Sequence, residues 1–147
     1  MNSSGARREI LKEAKRYSFE LLKYDGDRKL SILCKDSCSE VSRLLAVWFR
    51  RKMPMAKIYI AKGKIGKVFH DLILIDMGNS VYIVDPTVWQ FFKNKRSILI
   101  GAADSINKAL NKTAVIYSGE WKISEKVDNY SKKEIRNLKQ LLARQIS

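Results

Sequence analysis

The sequence predicts an α+β fold: helices first, a small antiparallel sheet next, a helical tail last. Three observations predict it. Apolar residues recur every three to four positions up to about Lys52 and then at a period of two. Glycine and proline punctuate the second region, as between strands. A helix-start signal at Ser131-x-x-Glu134 then reopens helical spacing through Ile135, Leu138, Leu141 and Leu142. At 147 residues the chain reads as one domain, 1–147, long enough to bury a core.

In chain order, Met1 to Ala6 reads as a polar tail. A first helix follows from about Ala6 to Tyr24, with Ile10, Ala14, Tyr17, Leu21 and Tyr24 on its inner face. Asp25-Gly26-Asp27 ends it, and Leu30 to Ser37 is a loop. Ser37 and Glu40 have capping-box spacing, so a central helix is expected from Cys38 to about Lys52, with Val41, Leu44, Leu45, Trp48 and Phe49 inward. Arg50, Arg51 and Lys52 suit its C-terminus, and Pro54 stops it.

Strands are expected at Ala56–Ala61, Val68–Asp76 and Val81–Val84, with Lys62 to Lys67 as a glycine-rich basic turn. Asp85-Pro86-Thr87 breaks the third strand. Ser97–Ile100 reads as a short strand, Asp104–Leu110 as a short helix and Thr113–Tyr117 as a further strand.

Composition narrows the class. Hydrophobic residues make up 46% and charged residues 30%, which fits a globular chain and not a disordered one. No apolar run reaches the length of a membrane span, and no signal peptide is read at the start. Lys and Arg number 29 against 15 Asp and Glu, so the net charge is +14. That excess predicts attraction to a polyanion: nucleic acid, an anionic membrane or an acidic protein. Cys34 and Cys38, with one histidine, do not complete a zinc site, so no metal or cofactor is expected. A reducing place of action is expected for the two thiols.

Chemistry concentrates at three residues. Cys38 would be the first residue of the central helix, where unpaired N–H groups and the helix dipole favour a thiolate. Cysteine is also among the residues most often buried as a small hydrophobe. His70, the single histidine, opens one strand, and Asp85 closes the next. If Met77 lies opposite Ser80 across a tight turn, His70 faces Thr87 and Asp85 faces Leu72. The two then share a sheet face as diagonal neighbours, roughly 7–8 Å apart at the backbone. A carboxylate on one imidazole nitrogen leaves the other to exchange a proton with the thiol. Trp89 and Trp121 are candidate pocket walls, although buried aromatics are more often core.

The run Ser37-Cys38-Ser39-Glu40-Val41-Ser42-Arg43-Leu44-Leu45, then Phe69-His70-Asp71-Leu72, then Tyr82-Ile83-Val84-Asp85-Pro86-Thr87-Val88-Trp89-Gln90-Phe91 resembles the papain-like and transglutaminase-like superfamily. Within it, the chain is similar to the papain-fold toxin domains at the C-termini of bacterial polymorphic and contact-dependent growth-inhibition toxins. The resemblance spans roughly Leu30 to Ile123 and continues into Gly119-Glu120-Trp121-Lys122-Ile123-Ser124; Asp-Pro-Thr-x-Trp-Gln-Phe is its most specific part. It implies a papain-like fold, a Cys38–His70–Asp85 triad, a monomer delivered from a bacterium into a target-cell cytoplasm, and a cognate, acidic immunity protein. One departure from the pattern is that no Gln or Asn lies between Asp25 and Cys38 to stabilise an oxyanion.

The leading expectation is a cysteine-dependent hydrolase of amide bonds, either a peptidase or a glutamine deamidase. The alternative is an RNA-cleaving toxin, directed at transfer RNA, with His70 activating a ribose hydroxyl. Phosphates would then be held by Lys62 and Lys64 together with Arg50 and Arg51, or by Lys93 to Arg96. A third reading is a binding module whose triad does no chemistry.

Overall fold

The computed structural model describes residues 3–146. Helix α1 runs over Ser3–Leu21, followed by the one-turn helix α2, Leu30–Leu33, and by α3, Cys38–Lys52. The sheet strands are β1 (Lys57–Ile65), β2 (Val68–Asp76), β3 (Val81–Asp85), β4 (Leu99–Ala103) and β5 (Trp121–Lys126). Helix α4, Ile106–Tyr117, lies between β4 and β5, and α5, Lys132–Ile146, ends the described chain. The strand order is β4-β3-β2-β1-β5, antiparallel throughout. The molecule is therefore α+β, as its periodicities predict.

Packing follows those periodicities. Helix α3 buries Val41, Leu44, Leu45, Ala46, Val47 and Phe49 and lies across β1 and β2. Strands β2 and β3 are buried along most of their length, the pattern of strands covered on both sides. Helix α4 meets both edge strands, β4 and β5, so the sheet curls around it. The turn Met77–Ser80 closes with the Met77 N–H donating to the Ser80 carbonyl, and Asp76 pairs with Val81. This is the register that puts His70 and Asp85 on one face.

Several local expectations are corrected. Helix α1 ends at Leu21, and the Asp25 carboxylate accepts from the Asp27 N–H in the turn beyond it. Leu30 to Ser37 holds a helical turn. Lys62 and Lys64 belong to β1, and only Gly66 and Lys67 form the turn. Thr113–Tyr117 is the second half of α4, not a strand. Its apolar positions belong to a helix face on which Ala109, Thr113 and Tyr117 are buried at four-residue spacing.

The capping box at Ser37 does not form: Ser37 sits at φ −111°, ψ 4°, outside the extended region an N-cap needs, and its hydroxyl caps nothing. The one at Ser131 does. The Glu134 N–H donates to Ser131 Oγ at 3.1 Å, and the Ser131 N–H donates to Glu134 Oε1 at 3.2 Å.

Candidate active site

Three separate elements bring the predicted triad together. Cys38 is the first residue of α3 and half-buried, His70 lies on β2, and Asp85 ends β3. His70 and Asp85 are both fully buried, and His70 Nε2 lies 2.7 Å from Asp85 Oδ2. That leaves Nδ1, which is buried and has no hydrogen-bond partner among the described residues. Cys38 is also near enough to the ring to favour its charged form, after Asp85.

Burial pushes the imidazolium's pKa down, but the charge and hydrogen bond of Asp85, helped by Cys38, outweigh it and hold His70 up at about 10. The folded structure thus favours the charged form of the ring. Cys34, the other thiol, is fully buried. Desolvation, with the nearby Asp85 charge second, pushes it up to about 12, so it stays a neutral thiol.

Asp85 is held by more than the imidazole. The Thr87 N–H donates to Oδ1 at 3.0 Å and the Thr87 hydroxyl lies 3.4 Å from the same oxygen. This is the local turn that Asp-Pro-Thr favours. The Tyr117 hydroxyl donates to Oδ2 from the last residue of α4. Burial and the facing carboxylate raise the Tyr117 pKa, so it remains a donor. The sequence held no local signal for Tyr117, because its role depends on α4 reaching the sheet.

Aromatic rings close the box. Phe91, Tyr117 and Trp121 lie 4.7, 5.4 and 6.1 Å from the imidazole, centroid to centroid. Trp121, Gly63 and His70 are register partners across β5, β1 and β2. A Cβ on residue 63 would fall inside the Trp121 indole, so glycine there is what lets the ring lie flat and reach His70.

Other candidates sort differently. Trp89 is core: it is 1% exposed, lies 5.9 Å from the Phe19 ring and donates its indole N–H to the Lys95 carbonyl. Arg50 and Arg51 lie near the far end of α3, roughly 18 Å along the axis from Cys38. Arg50 donates there to the Pro54 carbonyl. Lys62 and Lys64 stand on β1 beside Gly63, above the Phe69 ring. Among the described residues no three of His, Cys, Asp and Glu gather to hold a metal ion.

Arg43 fastens α3 to β2. It donates to Asp71 Oδ2 at 3.0 Å and to Ser39 Oγ at 2.7 Å, and its Nε lies 3.4 Å from Glu125. The Ser42 hydroxyl donates to the Asp71 carbonyl at 3.2 Å. The residue after His70 is thereby tied to the helix that begins with Cys38.

The arrangement is a buried imidazole–carboxylate contact with a half-buried thiol close by at the start of α3. Compared with protein-family models, curated proteins and solved structures, the chain matches none.

Proposed function

We propose that this protein is a papain-like, cysteine-dependent hydrolase of amide bonds, a peptidase or protein glutamine deamidase of the kind delivered as a bacterial toxin. One observation carries the reading: His70 is wholly buried and clamped by Asp85 through Nε2, with Cys38, at the start of α3, near enough to favour its charged form.

Cys38 sulfur attacks the carbonyl carbon as a thiolate, with the His70 imidazolium as its counter-ion. The oxyanion forms near the main-chain N–H of Cys38, one of the amides at a helix start without an intrahelical acceptor. As the C–N bond breaks, Nδ1 delivers its proton to the leaving amine or ammonia. Water then adds to the thioester, gives a proton back to Nδ1, and the acid product leaves as the thiolate returns. Asp85, fixed by Thr87 and Tyr117, holds the ring in place throughout.

Ribonuclease chemistry is the competing reading, carried by the charge of +14. The carboxylate-held imidazole would serve either chemistry, and the nearby Cys38, for which ribonuclease chemistry has no use, is what favours the amide reading. The test is ammonia and new-amine release from a mixture of proteins, run beside total RNA. Cys38→Ala and His70→Ala should each lower amide hydrolysis by a factor on the order of 10³ or more. RNA breakdown that persists in Cys38→Ala and disappears in His70→Ala would overturn the thiol mechanism.

A further inference from the structure

On the strands that carry the site, a second surface has no assigned role. Lys62 of β1 pairs with Lys122 of β5, and Lys64 pairs with Phe69 of β2. Phe69 is 59% exposed, with the ammonium groups of Lys62 and Lys64 lying 5.9 and 5.5 Å from its ring centre. Ile123 is also exposed, and with Glu120 these residues line a groove of about 360 Å³. Lys62 has a carboxylate within reach, Asp71 at 3.9 Å; Lys64 and Lys122 make no ion pair among the described residues. Strand β5 stands at the sheet edge, with a strand neighbour on one side only, and Lys122 to Ser124 are exposed along it. An edge with free main-chain groups is a template for an added strand.

We propose that this groove and the β5 edge take an extended acidic segment of a protein substrate as an added strand. Its carboxylates would sit by Lys64 and Lys122, and its alternate apolar side chains by Ile123 on the opposite face. Alternation follows from strand geometry, because successive side chains of the bound segment point to opposite faces. Continuity with the site comes from Trp121, which begins β5 and whose ring packs edge-on to His70. One feature favours a peptide over RNA: β5 has no strand neighbour on its outer side, so an extended main chain can pair there. The proposal deepens the hydrolase reading by naming its substrate class.

Binding is measured in Cys38→Ala protein, where nothing is cleaved, so a failure here is distinct from a failure of the hydrolase chemistry. The probe is a fluorescein-labelled peptide alternating glutamate and valine, with oligouridylate as the comparison. Lys64→Glu combined with Lys122→Glu should weaken peptide binding about tenfold or more. Lys133→Glu combined with Arg136→Glu on α5, the same change of charge, should leave it within about twofold. Ile123→Ser should weaken binding with the charge unchanged, and methylating alternate main-chain nitrogens of the peptide should weaken it too. Equal losses in the two charge-reversed proteins would reduce the effect to net charge and overturn the proposal. Tighter binding of oligouridylate through the same two lysines would overturn it in favour of a nucleic-acid groove.

Discussion

Asp85 gathers His70, Tyr117 and both donors of Thr87 on one carboxylate. Its effect on His70 gives stability a defined pH window. The imidazole's pKa is raised from 6.5 to about 10 on folding, so the pair's contribution is complete below pH 6.5 and is lost as pH rises through 10. Between those limits the urea midpoint of the native protein should fall more steeply than that of Asp85→Asn, whose amide cannot hold the imidazolium. Parallel curves would mean that the pair adds nothing to folding. The His70–Asp85 contact was legible in the sequence because one tight turn sets the register of the two strands that carry them. Tyr117 was not, since nothing local tells which end of α4 meets a carboxylate 32 residues earlier.

At the level of elements, the site depends on how α3 is fixed to β2. Arg43 reaches Asp71, which is 3% exposed, and Glu125 on β5, so one guanidinium ties the helix to two strands. The Glu125 carboxylate is also gripped by the Tyr130 hydroxyl. Removing one partner of a buried ion pair leaves the other uncompensated. Arg43→Ala should therefore cost about 3 kcal/mol in chemical denaturation, with Arg43→Lys recovering only part, because a lysine cannot span both carboxylates. A loss under about 0.5 kcal/mol would mark the contact as an ordinary surface pair.

The same scale explains why two identical sequence signals behaved differently. Ser131 enters its helix with its cap formed, whereas Ser37 follows Asp36 at φ 60° in a tight turn and cannot adopt the capping geometry. The basic run at Lys62 looked like a turn because Gly63 and Gly66 bracket it. Gly63 is instead a strand residue kept small for Trp121, which sequence alone does not distinguish from a turn glycine.

For the molecule as a whole, charge is the dominant bias. With 29 basic and 15 acidic residues, self-repulsion opposes compaction, and salt screens it over about 10 Å at 0.1 M. The thermal midpoint should rise by several degrees between about 10 and 300 mM sodium chloride. A fall would show that native ion pairs such as Arg43–Glu125 and Arg16–Glu13 outweigh the repulsion. The fold class was readable at this scale because core periodicity is distributed along the chain. The curl of the sheet around α4 was not, since it depends on both edge strands reaching one helix.

Cys38, His70, Asp85, Tyr117 and Trp121 come from five different elements. The surroundings of the imidazole are thus a property of the finished tertiary structure. In the unfolded chain these side chains are dispersed along the sequence, so the raised basicity of His70 is acquired only on folding.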